Sequence, residues 1–281
     1  RHEECGDHGT GITLEQEQQE IIPVSKLLYL EGASGISGDM TVGALLSLGA
    51  SADRLRVALG SLGLGDEFSY VVSEKSSHGI AGTDFNVILP HSHCHHHDAG
   101  LGHVHHHHHE HRNLADVEAI IDRGELSDNA RMLAKRAFRF VAEAESKAHG
   151  KPLAEVHFHE VGAIDSIVDV VSAAVLFDDI GDAECVVTGL TEGGGTVTCA
   201  HGELPVPVPA VLNIAMSSGI PLRPSDTKGE CVTPTGIALA ATFRTRSELP
   251  PAYRVVGIGT GLGKRDYGRP AILRILKIEE A

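Results

Sequence analysis

The chain has 281 residues, 42% of them apolar, and a formal net charge of −15, which fits one large or two modest globular domains. The negative net charge argues against a nucleic-acid-binding protein, because phosphate backbones are bound by basic surfaces. A membrane partner is not expected either, since no apolar run reaches the roughly eighteen residues that a spanning helix needs.

The first 26 residues are polar and contain no apolar signal core, so we expect a disordered leader before a single α/β domain over residues 27–281. The missing secretion signal predicts a cytoplasmic protein. The cysteines are odd in number and form no C-x-x-C pair, which favours reduced thiols over a disulfide framework. They are Cys5, Cys94, Cys185, Cys199 and Cys231.

A strand, a glycine-rich turn and a helix are predicted in succession near the start of this domain. The apolar run LLYL (27–30) predicts the strand, and the turn covers residues 32–38. Apolar residues at helical spacing over 40–48 predict the helix, which we expect to end at Gly49. A second helix over 52–62 and strands over 70–73 and 85–89 follow.

The segment 91–111 holds twelve of the nineteen histidines and has neither a helical nor a strand period, so we expect a mobile insertion. Neutral imidazole binds Ni, Cu, Zn and Co well, and the run therefore predicts metal binding without selecting the metal. The alternative is a solvated insertion without function. The predicted metal ligands are His91, His93, His95, His96, His97, His103, His105, His106, His107, His108, His109 and His111.

Beyond the insertion, the pattern again alternates between helices and strands, which favours α/β layers of a sheet and helices. Ser127 is the predicted N-cap of a long helix, and Thr233 and Pro234 are the predicted first positions of another. The helices are predicted over 114–122, 128–149, 163–178, 211–216 and 237–243. The strands are predicted over 185–188, 196–199, near 255 and over 272–278.

The stretch GASGISGDM (32–40) places Gly35 and Gly38 just before a helix, where backbone N–H groups and the helix dipole can hold an anion. Together with Ser37 they are candidates for cofactor binding. The alternative is a tight turn in which Ser37 or Asp39 is the helix N-cap. A carboxylate at Asp39 beside a bound phosphate would suit a bridging cation.

The stretch EVHFHEVGAIDSIVDVV (155–171) carries the densest set of candidate catalytic residues. Two histidines that are two positions apart point the same way in an extended segment, and the acidic residues of the next helix share one edge with Ser172. Such a set suits a metal or acid–base site, the alternative being helix capping and a solvated helix edge. The residues are His157, His159, Glu160, Asp165 and Asp169, to which we add Asp39.

The stretch GGGTVTCAHGELPVP (193–207) joins glycines to His201 at a predicted turn. A lone histidine at a turn is more often structural than catalytic, and His201 is considered as a cofactor-binding candidate. In ECVTPTG (230–236), Cys231 is a candidate soft ligand, although a buried structural thiol is the more ordinary interpretation.

Seven parts of the chain are long and unusual: YLEGASGISGDMTVGALLSLGA, HGIAGTDF, the histidine-rich insertion, EVHFHEVGAIDSIVDVVSAA, GGGTVTCAHGELPVPVPA, GECVTPTGIAL and GTGLGKRDYGRPAILR. Together they resemble the nickel insertion proteins of nickel-pincer-cofactor biosynthesis, the LarC family, from about Leu27 to Leu276. The sequence departs from that family at Glu31, where aspartate is usual, and at Ala33, where an aromatic residue is common.

The resemblance implies a cytoplasmic enzyme that installs Ni²⁺ in a pyridinium mononucleotide bearing two thiocarboxylates, with lactate racemase as the recipient. It also implies a need for CTP and for Mn²⁺ or Mg²⁺. Metallation of a ring carbon releases a proton, for which His157, His159, Glu160 and Asp165 are the candidate bases. The loop from Gly35 to Gly38 could hold the phosphate.

In that family a CTP-binding C-terminal domain follows the RPAILR strand, whereas this sequence ends at Ala281. We therefore expect the nickel-handling half, with the C-terminal half as a partner. Three other functions stay open: nickel storage or delivery without catalysis, a metal-dependent hydrolase, and a scaffold for the CTP-binding half. The sequence leaves the oligomeric state open, a homo-oligomer included.

Overall fold

The computed structural model describes residues 26–90, 112–156, 158, 163–181, 184–199 and 201–281. Over these ranges helices and strands alternate, which confirms the predicted α/β class. The strands are β1 (Lys26–Glu31), β2 (Ser69–Ser77), β3 (Ile80–Ile88), β4 (Glu184–Val186), β5 (Leu190–Gly194), β6 (Thr196–Cys199), β7 (Gly202–Pro205), β8 (Leu222–Lys228), β9 (Tyr253–Leu262) and β10 (Ile272–Glu280). The α-helices are α1 (Gly38–Ser47), α2 (Ala52–Ser61), α3 (Leu114–Arg123), α4 (Asp128–His149), α5 (Ile164–Ile180), α6 (Pro209–Ser218) and α7 (Pro234–Phe243).

Six strands form the main sheet, in the order β2-β3-β9-β10-β1-β4. Strands β9 and β10 lie between β3 and β1. The sheet therefore joins strands that are far apart in the sequence. Neighbouring strands are antiparallel except for the β1–β4 and β3–β9 pairs. Two smaller sheets consist of β5 with β8 and of β6 with β7.

Helices cover one face of the main sheet. Helix α1 lies across β9, β3 and β10, and α5 packs beside it, while α4 contacts α5, α6 and α7. Helix α4 has the predicted cap, because the Ala130 N–H donates to the Ser127 hydroxyl at 3.0 Å. Apolar residues at helical spacing along α4 are buried as well: Leu133, Ala137, Val141 and Ala144. None of the described helices is long and apolar enough to cross a membrane.

Some predictions need correction. The hairpin of β2 and β3 is longer than predicted, and the parallel pair of β5 and β8 was not predicted at all. Strand β5 is rich in glycine and β8 is mostly polar, so neither shows the apolar alternation that identifies a strand. Lys26 already belongs to β1, although it was assigned to the leader. Residues 1–25 and the segment 91–111 lie outside the described residues.

Helix α1 and strand β9 approach each other closely because glycines stand at their contact. A Cβ atom added to Gly259 would lie 2.1 Å from the Ala44 carbonyl oxygen, and one on Gly261 would lie 1.8 Å from that of Met40. The sheet also approaches Gly43 of the helix, since a Cβ there would meet the Thr83 carbonyl oxygen at 2.4 Å. This close packing sets the position of the α1 N-terminus over the end of the sheet.

We predict that Gly259→Ala lowers the free energy of unfolding by about 1–3 kcal/mol or more, because the methyl group meets backbone atoms that cannot rotate away. Urea denaturation followed by circular dichroism measures this change. Gly60→Ala in α2 is the matched control, since nothing lies within 4 Å of its added Cβ. That substitution should be neutral or stabilise the helix by up to about 1 kcal/mol. Equal effects at both positions would contradict the close-contact interpretation.

Candidate functional site

An acidic cavity lies where α1, α5 and α7 begin, next to the loop between β9 and β10. Its volume is about 310 Å³. Three sequence-predicted carboxylates line it, namely Asp39, Asp165 and Asp169, together with Ser37 and Gly38. Its wall also contains Val87, Ser166, Glu230, Thr233, Pro234, Thr235 and Lys264.

Asp169 is the most constrained of these carboxylates. Its Oδ1 atom is buried and has no hydrogen-bond partner among the described residues. Its Oδ2 atom lies against Gly38, where an added Cβ would be only 2.5 Å away, and the carboxylate accepts the backbone N–H of Asp39. Burial, and next the negative charge of Asp39, raise the pKa of Asp169 well above the usual range of an aspartate.

Asp39 is held by the first turn of α1 and by one lysine. Its Oδ1 atom accepts the Met40 N–H at 2.9 Å and the Ser37 hydroxyl, and its Oδ2 atom lies 3.3 Å from Lys264 Nζ. Ser37 is the N-cap of α1, so the capping interpretation of this stretch is confirmed. Both side chains nevertheless line the cavity, and capping and binding are compatible here.

The glycines of the first loop have local packing roles. Gly35 has φ +91°, and a Cβ atom there would lie 2.1 Å from the Cys231 carbonyl oxygen. The loop is joined to this neighbouring segment, because the Ile36 N–H donates to the same carbonyl at 2.9 Å. The α1 N-terminus therefore faces the Asp169 carboxylate, while Gly35 serves a contact between two backbone segments. Phosphate binding by this loop remains a prediction.

A second cavity of about 190 Å³, which we name the basic cavity after Lys264 and Arg265 in its lining, adjoins the acidic one and shares Ser37, Asp39, Glu230, Thr233 and Lys264 with it. The loop between β9 and β10, residues 263–271, supplies these two cations and is called the basic loop below. Arg265 Nη2 lies 3.1 Å from the Glu230 carboxylate. Arg269 belongs to the same loop but lies outside the cavity lining: its Nη1 atom is 3.4 Å from Ser34 Oγ, and its Nη2 atom is buried and has no hydrogen-bond partner within the described ranges.

A buried carboxylate fixes the wall between the glycine loop and α7. Glu192 Oε1 accepts the backbone N–H groups of Gly193, Cys231 and Val232 at 2.8, 2.7 and 3.1 Å. Burial raises the pKa of Glu192, although these three donors oppose the increase. Cys231 itself is 5% exposed, and burial, followed by the charge of Glu192, raises the pKa of its thiol.

His201 does not join the acidic group. It lines a third cavity of about 380 Å³, together with Glu145, His149 and Cys199. This cavity shares Glu230 and Pro234 with the acidic cavity, so the two cavities adjoin each other. His201 is thus a neighbour of the predicted site and not one of its lining residues.

The structure brings together five of the predicted site residues around the acidic cavity: Ser37, Gly38, Asp39, Asp165 and Asp169. His157, His159, Glu160 and the twelve histidines of 91–111 lie outside the described residues. Sequence reasoning missed Lys264, Arg265, Arg269 and Glu230. The basic run GKRDYGR was a usable signal, because it concentrates cations in a chain of strongly negative net charge.

The arrangement combines opposite charges over a short distance. The acidic cavity can hold a cationic group or accept a proton, and the basic loop can hold an anion such as a phosphate. Within the described part of the chain, no group of three or more His, Cys, Asp or Glu side chains is already arranged to hold a metal ion.

Comparison with known proteins gives consistent results over nearly the whole chain. The family model described as nickel insertion protein matches residues 28–281. The pyridinium-3,5-bisthiocarboxylic acid mononucleotide nickel insertion protein of Alkaliphilus metalliredigens (strain QYMF) is 49% identical over 259 residues, which cover 92% of this chain and 61% of that protein. The protein of the same name from Acetivibrio thermocellus is 42% identical over 251 residues, or 89% of this chain and 60% of that protein.

The chain thus spans about three fifths of the length of these curated relatives. No solved structure matches it significantly. The family match extends from β1 to the end of β10 and so includes every element that lines the acidic and basic cavities. This chain belongs to the nickel insertion protein family.

Proposed function

We propose that this chain is the nickel-handling part of an enzyme that inserts Ni²⁺ into pyridinium-3,5-bisthiocarboxylic acid mononucleotide. One observation carries the proposal: the acidic cavity and the basic loop are adjacent. The ion pair of Asp39 and Lys264, 3.3 Å long, joins them. The identity of the substrate and the class of reaction, nickel insertion, are taken from the names of the two relatives.

The charges of that substrate match the two cavities. A pyridinium ring is cationic, and its position beside Asp39 and Asp169 would place opposite charges together. The single phosphate of a mononucleotide is anionic and would be held by Arg265 and Arg269, whose guanidinium groups suit phosphate oxygens. In this arrangement Lys264 lies between the two ends and serves the thiocarboxylates or the phosphate.

The insertion step needs a base. A bond from Ni²⁺ to a ring carbon forms as the carbon–hydrogen bond breaks, the electron pair stays on carbon, and the proton leaves. Asp169 is suited to accept this proton because a carboxylate with a raised pKa is a stronger base than an ordinary one. Its unpartnered Oδ1 atom is the acceptor in this proposal.

The remaining parts of the proposal rest on the histidine-rich sequence and on what the family resemblance implies. The histidines of 91–111 collect Ni²⁺, and ligand exchange from imidazole nitrogen to the thiocarboxylate sulfurs transfers the ion to the substrate. His157, His159 and Glu160 are the candidates for carrying the ion toward the cavity. CTP and Mn²⁺ or Mg²⁺ act in the C-terminal half, and lactate racemase receives the product in the cytoplasm.

We predict that Asp169→Asn lowers kcat for nickel insertion by about 10²–10⁴-fold, the contribution of a general base. Asp39→Asn should mainly raise KM, because it weakens binding of the cationic ring in the ground state and the transition state alike. The assay supplies the substrate, Ni²⁺, CTP, Mn²⁺ and the C-terminal half, and measures the nickelated product by mass spectrometry.

Asp53→Asn is the matched control, since Asp53 is a surface aspartate of α2 that lines a separate groove. Its kinetics should equal those of the wild type. Full turnover by the Asp169 variant would contradict the proposed base. Absence of product from the wild-type chain under every condition, with Ni²⁺ still bound, would favour storage or delivery over catalysis.

The raised pKa of Asp169 also predicts a stability change. The folded state binds the Asp169 proton more tightly than the unfolded state, so stability is lost as pH rises from about 3.9, the ordinary pKa, through the raised folded value. Asp169→Asn removes this loss and keeps an acceptor for the Asp39 N–H. The variant should therefore be more stable than the wild type at pH 7 and close to it near pH 4.

Urea denaturation at both pH values measures the difference, which we expect to be about 1–3 kcal/mol at pH 7. Asp165→Asn is the control, because Asp165 is exposed at the start of α5 and should change stability little. An Asp169 variant that is less stable than the wild type at pH 7 would refute the assignment of Asp169 as a destabilising buried carboxylate.

A further inference from the structure

The third cavity contains a thiol and an imidazole that the proposed insertion reaction does not use. Cys199 ends β6 and His201 lies in the turn before β7, and both side chains line the cavity. Cys199 Sγ lies 4.0 Å from His201 Nδ1, which is close enough for a hydrogen bond that involves sulfur. An imidazole beside a thiol is typical of a nucleophilic cysteine, because the ring can accept the thiol proton.

The His201 ring is held in place by a pair of side chains from another element. It lies against the ring of His149 on α4, with the two ring centroids 4.9 Å apart. His149 Nε2 in turn lies 3.2 Å from Glu145 Oε2, one helical turn earlier. The imidazole beside Cys199 therefore has an anchored neighbour, which corresponds to the group that orients the base in nucleophilic sites.

The other cysteines that the structure describes are buried. Cys185 is 1% exposed, and burial raises the pKa of its thiol to about 12. Cys231 is 5% exposed, and burial also raises the pKa of its thiol. Cys199 is partly exposed and lines a cavity of about 380 Å³. Among the described cysteines, a thiol reagent therefore reaches Cys199 most readily.

The hairpin that carries the pair does not depend on these two side chains. Backbone pairing closes it from Thr196 opposite Pro205 to Cys199 opposite Gly202, and Gly202 supplies the turn with φ +91°. The Cys199 thiol and the His201 ring line the cavity instead. A structural role in the turn therefore leaves their contact with each other unexplained.

We propose that Cys199 is a modification site, at which its thiol attacks a low-molecular-weight disulfide. The Cys199 sulfur bonds to one sulfur of the reagent while the reagent's own sulfur–sulfur bond breaks. His201 accepts the Cys199 proton and passes it to the thiolate that leaves. The products are a mixed disulfide on Cys199 and one small thiol, so the exchange needs no other oxidant, and a second small thiol reverses it.

The attached group occupies a cavity that adjoins the proposed substrate site. Glu230 and Arg265 line both the third cavity and the basic cavity. Arg265 is held by the Glu230 carboxylate at 3.1 Å and by its carbonyl oxygen at 3.0 Å. A group on Cys199 contacts this pair and disturbs Arg265, which the proposed function assigns to the substrate phosphate. The modification therefore lowers substrate affinity, and this effect rests on the proposed function.

The test uses the full chain with Cys5 and Cys94 replaced by serine, and the probe is dithiobis-nitrobenzoate, a small disulfide that releases a coloured thiolate. We predict prompt release of one equivalent from the folded protein, with the adduct found on Cys199 by mass spectrometry. Cys199→Ser should abolish the prompt release. His201→Ala should slow it by about tenfold or more, because the proton acceptor is lost.

His78→Ala is the matched control, because His78 is an accessible histidine that does not line the third cavity. Its rate should equal that of the parent chain. Circular dichroism verifies that each variant is folded, and His201→Gln replaces His201→Ala if alanine destabilises the turn. Undiminished prompt release from the Cys199 variant, or an unchanged rate in the folded His201 variant, would overturn the modification site.

The effect on the substrate site is measured separately, by equilibrium dialysis of the mononucleotide. The modified parent chain should bind it more weakly by about tenfold or more, the loss expected for one charged contact to the phosphate. Dithiothreitol should restore the affinity, and the Cys199→Ser chain should ignore the probe. Equal affinity of the modified and unmodified parent chains would overturn the proposed effect. An unmodified chain that does not bind the mononucleotide would refute the proposed function, while the release rates still decide the modification site.

Discussion

The burial of the Asp169 carboxylate against the N-terminus of α1 is the interaction on which the site depends. Gly38 has no side chain, which lets the Asp169 carboxylate of α5 approach its backbone. A Cβ atom added to Gly38 would lie only 2.5 Å from Asp169 Oδ2. The glycines of β9 let α1 lie directly on the sheet, which fixes that N-terminus. Close packing of two helices and one strand thus holds a carboxylate in a position that is unfavourable for its charge.

A second consequence of this packing is that a negatively charged cavity and a positively charged loop meet at one ion pair, Asp39 with Lys264. Asp39 faces the acidic cavity and Lys264 continues into the basic loop, although the two residues come from opposite ends of the chain. The antiparallel addition of β9 and β10 beside β1 brings these ends together. A substrate with a cationic ring and an anionic phosphate would span both sides, which is the physical basis of the proposed reaction.

Local features of this fold were predictable from the sequence, whereas contacts between distant segments were not. Ser127, Ser37 and Thr233 cap their helices as the local patterns predict. The edge of α5 that carries Asp165 and Asp169 also faces the predicted site. By contrast, the pairing of β5 with β8 and the approach of the 263–269 loop depend on tertiary contacts that have no periodic signal. His201 was a cofactor-binding candidate because it lies with glycines at a predicted turn, and that turn places it in the adjoining third cavity.

The central claim is that one molecule of substrate occupies the acidic cavity and the basic loop together. The most direct test is a crystal structure of the chain with pyridinium-3,5-bisthiocarboxylic acid mononucleotide bound. We expect density for the phosphate against Arg265 and Arg269, and for the pyridinium ring with one of its C–H groups in contact with the Asp169 carboxylate. Density for the substrate at any other surface, with this pair of cavities empty, would contradict it.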